Sequence, residues 1–177
     1  MKSGDIVICH SKGLIGAAIR FAQRRMRKHY FHSPIGGLED KWWQWNHIAV
    51  INKDMGDGQW TIIQAEAKGV TDYRLLSSVA PGGRYIVIPL PDCVDRNQFL
   101  DFLHSQVGKR YGFMSILSCA FDMVLPDMIC LRKSDTWICS GLVAAALVFA
   151  GFHGAFVWPD FYTVVPAEIA ESCSIDA

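Results

Sequence analysis

The residue in the most pointed chemical setting is Cys139. It stands in the string Trp137-Ile138-Cys139-Ser140-Gly141-Leu142-Val143-Ala144-Ala145-Ala146, where a cysteine opens a strongly helical apolar run. The first turn of a helix carries N–H groups with no intrahelical partner and about half a positive charge, and both favour a thiolate over a thiol. A thiolate is a nucleophile for acyl transfer. By position alone the same residue also reads as a small buried hydrophobe, the commoner fate of a free cysteine. A candidate base lies far upstream. His47-Ile48-Ala49-Val50-Ile51 and Thr61-Ile62-Ile63-Gln64-Ala65-Glu66 flank an Asp- and Gly-bearing turn around Asp54 to Gly58 and predict a hairpin. With His47 paired to Glu66, the alternation sets His47, Ala49 and Ile51 on one face with Ile62, Gln64 and Glu66. This register brings a carboxylate beside an imidazole, with Gln64 the next polar residue on that face.

The remaining reactive residues make weaker sites. Cys119, in Ser118-Cys119-Ala120-Phe121-Asp122, lies inside an apolar helical run and reads as a core thiol. Cys9 and His10 are adjacent on a strand, so their side chains point to opposite faces. His29 and His32 with Cys9 and His10 match no standard metal spacing, so neither a metal nor a cofactor is expected. Arg24, Arg25, Arg27 and Lys28 sit where a helix ends, and cations there favour the macrodipole. The tryptophans 42, 43 and 45 are core or interface residues, or the wall of a substrate groove.

The elements that must position these residues are readable in outline. A strand from Asp5 to Cys9 precedes a helix capped by Ser11, with Leu14, Ile15, Ala18, Ile19 and Ala22 at helical spacing. A later strand, Arg84 to Leu90, leads to Asp95 and Gln98, a capping-box start for a helix that buries Phe99, Leu100, Phe102, Leu103 and Val107 and ends at Gly108. An apolar run from Tyr111 is broken by Pro126, a helix spans about Cys139 to Ala150 with Gly151 past its end, and a last helix opens at Pro166. Strand, helix, several strands, then helices is an α+β order around one antiparallel sheet.

Composition limits the alternatives. The chain has 177 residues, 51% of them hydrophobic and 19% charged, so a single domain over 1–177 with a sizeable core is expected and disorder is excluded. Lys+Arg and Asp+Glu are both 17, which gives no global electrostatic case for nucleic acid or an anionic membrane. Six cysteines without a C-x-x-C pair argue for reduced thiols. Trp137 to Trp158 lacks Asp, Glu, Lys and Arg, yet Ser140, His153 and three glycines interrupt it, so a buried helix is expected rather than a transmembrane one. The start of the chain has no h-region of a signal peptide, which points to cytoplasmic synthesis.

The ordered set of Gly4-Asp5-Ile6-Val7, Asn46-His47-Ile48-Ala49-Val50, Glu66-Ala67-Lys68-Gly69-Val70, Gly108-Lys109-Arg110-Tyr111-Gly112 and Cys139-Ser140-Gly141-Leu142-Val143 resembles the NlpC-type papain-like cysteine peptidases. It is similar to their circularly permuted branch, in which histidine and acid precede the cysteine. The only histidine after Cys139 is His153, too near to return on a separate strand. The resemblance covers residues 4 to about 170. It implies an antiparallel sheet or half-barrel packed on a central helix that starts at Cys139, and a Cys139-His47-Glu66 triad with Gln64 as the alternative third member. It also implies Tyr111 near the oxyanion, with Trp45 as a substrate-shaping residue. The implied activity is a thiol peptidase or amidase acting on peptidoglycan stem peptides, with a phage-tail or cell-wall setting, virion-associated or delivered to the periplasm. Lipid-amide hydrolase or acyltransferase chemistry and a non-catalytic tail-assembly module are the alternatives. Residues 112–136 depart from the family pattern as a lid or partner-facing insertion.

Overall fold

The computed structural model describes residues 1–10, 16–17, 19–20, 42, 44–82, 84–112, 136–153, 161 and 164–175. Strands β1 (Ile6–Cys9), β2 (His47–Gly56), β3 (Gln59–Glu66), β4 (Gly69–Leu75) and β5 (Tyr85–Ile88) form one sheet in the order β4-β3-β2-β1-β5. Every pairing in it is antiparallel. The α+β arrangement expected from the order of elements is therefore present. Helix α1 (Leu76–Val79) follows β4 directly, α2 (Arg96–Ser105) follows β5, and α3 (Cys139–Phe149) and α4 (Pro166–Ile175) come last. A small parallel pair, β6 (Arg110–Tyr111) with β7 (Thr136–Trp137), stands apart from the main sheet.

Period-2 patterning gives the sheet two apolar faces. Ile6, Ile8, Ile48, Val50, Ile63 and Ala65 join α3, Phe99, Leu103 and Ile169 in the main core. Val7, Cys9, Ala49, Ile51 and Ile62 form a second cluster with Leu76 and Ala80. Helix α3 is buried from Cys139 through Leu147, as a helix apolar on all sides must be. Ala150 ends it, with Gly151 at φ 91° in the left-handed position expected of it. No helix among the described residues is long and apolar enough to cross a membrane.

Local rules account for the other boundaries. The β2–β3 strands run longer than expected, through Asp54, because the turn is made by Asp57 and Gly58, whose positive φ of 52° and 71° suits a two-residue hairpin with right-handed strand twist. Asp95 caps α2 as anticipated, its Oδ1 accepting from the N–H groups of Asn97 and Gln98 while the Gln98 side chain donates to Oδ2. Phe99 and Leu103 are buried as expected, whereas Val107 is exposed because the helix has already ended at Ser105. Strand β4 was not anticipated. Its polar interior, Thr71-Asp72-Tyr73-Arg74, lacks apolar alternation, and it is pairing with β3 that orders it. Of the helix expected from Ser11, residues 16, 17, 19 and 20 are described and helical, and the basic cluster 24–28 lies outside the described residues. Cys119, His29, His32, Trp43 and all of the 112–136 segment between residues 113 and 135 also lie outside them.

The junction between β3 and β4 decides where the loop before β6 runs. Gly69 has φ 111°, and a Cβ there would collide with the Lys109 carbonyl oxygen. That close approach lets Val70 N–H donate to Lys109 O at 2.8 Å and Gly108 N–H to Val70 O at 2.9 Å. Gly69→Ala is expected to destabilise the fold by about 2 kcal/mol, lowering Tm by roughly 4–8 °C in a calorimetric scan. An unchanged Tm would show that the 108–111 loop is not held this way.

Candidate active site

The C-S-G triplet divides its labour. Cys139 is the first residue of α3, after Ile138, whose φ of −95° and ψ of 158° are extended. Ser140 is buried, and its hydroxyl donates to the Val164 carbonyl, tying the helix start to the chain before α4. Gly141 faces the Phe161 carbonyl so closely that any Cβ would overlap it. Two of the three residues thus anchor the helix, and the thiol takes no part in that anchoring.

Tyr111 reaches the same place through the small parallel pair. It lies opposite Trp137, two residues before Cys139, and Gly112 N–H donates to the Trp137 carbonyl at 3.0 Å. Trp137 in turn donates from Nε1 to Gln106 Oε1 at 3.0 Å, which fixes this pair to the end of α2. Burial raises the Tyr111 phenol well above its ordinary range, and the negative charge of Cys139 raises it further. A phenol this reluctant to ionise remains an O–H donor beside the thiol.

His47 begins β2, directly across β1's last residue, Cys9. Its Nε2 is hydrogen-bonded to Gln64 Oε1 at 2.7 Å. An amide oxygen only accepts, so Nε2 carries the proton, and Nδ1 is the ring nitrogen left for the thiol. Burial works against charging the ring, yet its pKa is raised overall by the hydrogen bond and charge of Cys139, the Gln64 hydrogen bond and the charge of Glu66. Cys139 behaves reciprocally. Burial pushes its thiol up, and the hydrogen bond and charge of His47, with the N–H groups of Ile48 and Ser140, outweigh burial and bring it below the ordinary thiol value. Each shift depends on the charge of the other group, so the thiol and the imidazole titrate as one unit.

The third position differs from the expected one. Val50 lies opposite Ile63 and Ile51 opposite Ile62, and this register continued along the strands sets His47 across from Glu66, as the hairpin reading required. The ring nevertheless bonds the diagonal neighbour, Gln64, and Glu66 Oε1 pairs with Arg74 Nη1 at 3.3 Å. Gln64 is buried and Glu66 is partly solvated, so Gln64 holds the ring and Glu66 acts on it only through its charge. Trp45, two residues before His47, is partly buried and packed on the main core. Among the described residues no cluster of His, Cys, Asp and Glu is arranged to hold a metal ion.

One neighbour was passed over in the sequence. Cys9, read there as half of an implausible dyad with His10 and as one of a set without standard metal spacing, lies beside the site because β1 pairs with β2 at His47. The strand register is the signal that finds it. Burial, aided by the charge of Cys139, pushes the Cys9 thiol up to about 12, so it stays protonated and inert. Among the described residues the cysteines at 9, 93, 139 and 173 are free.

Mass-spectrometric alkylation with iodoacetamide at neutral pH is therefore expected to modify Cys139 first and Cys9 last. In His47→Ala the Cys139 reaction is expected to start only at higher pH, falling about tenfold or more at pH 7, because the pKa-lowering partner is gone while burial remains. Labelling of the exposed Cys93 ahead of Cys139 in the wild type would contradict the activated-thiol assignment. No family model and no curated protein matches the chain, so a functional reading has to stand on this geometry and on the ordered motifs.

Proposed function

We propose that the protein is a thiol hydrolase of the circularly permuted NlpC-type papain-like fold, cleaving an amide bond through a thioester. The observation that carries this reading is the buried Cys139 thiol made acidic by His47, whose far nitrogen is held by Gln64. A structural core cysteine has no use for a hydrogen-bonded histidine, and the pairing costs desolvation that packing alone would not require.

The chemistry follows from the pair. The Cys139 thiolate attacks the carbonyl carbon, and the tetrahedral oxyanion faces the free N–H at the start of α3 and the Tyr111 hydroxyl. The C–N bond breaks as the His47 imidazolium gives its proton to the leaving amine, leaving a thioester on Cys139 and a neutral ring. The ring then takes a proton from water, hydroxide adds to the thioester, and the thiolate leaves as the acid is released, with the proton on His47 restoring the ion pair. Gln64 keeps the ring aligned through both steps, and the Glu66 charge favours its protonated form.

Stem peptides of peptidoglycan are the proposed substrate class, supported by the motif resemblance. Incubation of intact sacculi with the wild type is expected to release peptides that the Cys139→Ala variant does not release. Acylation of Cys139 by phospholipids or acyl amides, with sacculi untouched, would replace the peptidase reading with the lipid-acyl one. Against a cleaved substrate, Gln64→Ala is expected to lose about 10- to 100-fold in kcat/KM through ring misplacement. Glu66→Gln, removing a partly screened charge, is expected to lose about fivefold or less. The reverse order would return the orienting role to Glu66.

A further inference from the structure

Two buried polar side chains beside the His47–Gln64 hydrogen bond each lack what the other offers. Gln64 is 1% exposed and Thr71 is 6% exposed. Neither Gln64 Nε2 nor Thr71 Oγ1 has a hydrogen-bond partner among the described residues. The two residues stand directly opposite one another in the β3–β4 pairing, so their side chains project from the same face with Cβ atoms about 5 Å apart. A register shift falls immediately before this pair, between Ile62 and Gln64. Such irregularities re-aim side chains off the regular pleat, and they concentrate next to active sites. A donor and an acceptor left unpaired side by side in an apolar setting are costly, and a small rotation or one bridging water joins them.

We infer that Thr71 is a positioning residue for the proposed hydrolysis, its hydroxyl oxygen accepting from the Gln64 amide nitrogen so that the amide oxygen faces the His47 ring. The two ends of an amide have nearly the same shape, so packing does not choose between them. The charged ring donates from both nitrogens and needs the amide oxygen. In that orientation the amide nitrogen points away from the ring, and Thr71 supplies the acceptor on that side. Without the hydroxyl, the orientation that suits the charged ring buries an unpaired N–H, whereas the flipped amide leaves only an underused carbonyl, the less costly defect. The flipped amide presents a donor to Nε2, so the ring proton moves to Nδ1 and the ring no longer accepts the thiol proton. Thr71 therefore biases the site towards the thiolate and imidazolium through Gln64, without touching either.

The inference rests on the thiol hydrolase reading, and its test needs no substrate. The pH dependence of Cys139 alkylation by iodoacetamide is compared in the wild type, Thr71→Val, Thr71→Ala, Thr71→Ser, Gln64→Ala, Gln64→Glu and Thr71→Val combined with Gln64→Glu. The groups that face His47 and Cys139, namely Cys9 on β1, Glu66 on β3 and Tyr111 on β6, are the same in all of them. Thr71→Val and Thr71→Ala are expected to move the thiolate midpoint up by about one pH unit, slowing labelling at pH 7 about tenfold, while Thr71→Ser matches the wild type. In the Gln64→Glu background the Thr71→Val shift is expected to vanish, because both carboxylate oxygens accept and there is no orientation to choose. A packing role would give the opposite ranking, with isosteric Val near wild type and Ser resembling Ala, and would overturn the inference, as would unshifted profiles for Val and Ala alongside a shifted Gln64→Ala. Should wild-type Cys139 react only in the range of an ordinary thiol, the hydrolase reading itself fails, and the inference with it.

Discussion

A buried thiol and a half-buried imidazole at the end of a sheet are each expensive to charge alone, and much less so together. Desolvation opposes the charged form of both Cys139 and His47, and each overcomes it through the other. The pair therefore has to be held in contact, since separation by a few ångströms would remove the shift that each gives the other. The strands, turns and tight glycines around it all bear on that one distance.

Three separate parts of the chain converge on it. The all-apolar α3 packs on Ile48, Val50 and Ile63, which brings its first residue to the start of β2. Ser140 and Gly141 fasten that helix start to the Val164 and Phe161 carbonyls. Gly69 admits the Lys109 carbonyl against β4, and the loop that follows delivers Tyr111 beside Trp137. Small residues here set backbone spacings that a larger side chain would open, and the site inherits its geometry from those spacings.

The choice of an amide over a carboxylate beside the ring has a physical basis. A buried carboxylate needs a charge partner, while a neutral amide needs only hydrogen bonds. Gln64 occupies the dry position at 1% exposure, and Glu66, with a side chain 23% exposed, sits where Arg74 and solvent can share its charge. The site gains a fixed acceptor at short range and a screened negative charge farther out. Both favour the imidazolium without burying a third full charge next to it.

Much of this arrangement was legible in the chain. The helix opening at Cys139, the Asp95 cap, Gly151 past the helix end and the β2–β3 register follow from local periodicity, capping and turn chemistry, which act over a few residues. Strand β4, the approach of Cys9 to the site and the pairing of β6 with β7 were not legible, because they depend on contacts between segments far apart in sequence. The α+β order of elements follows from local patterning along the chain, as does the presence of a cysteine, a histidine and two candidate orienting groups on suitable elements. The distinction between Gln64 and Glu66 came from the fold. Both share a strand face at spacing two, so no pattern separates them, and the choice was made by which of them lay dry under the ring and which reached Arg74.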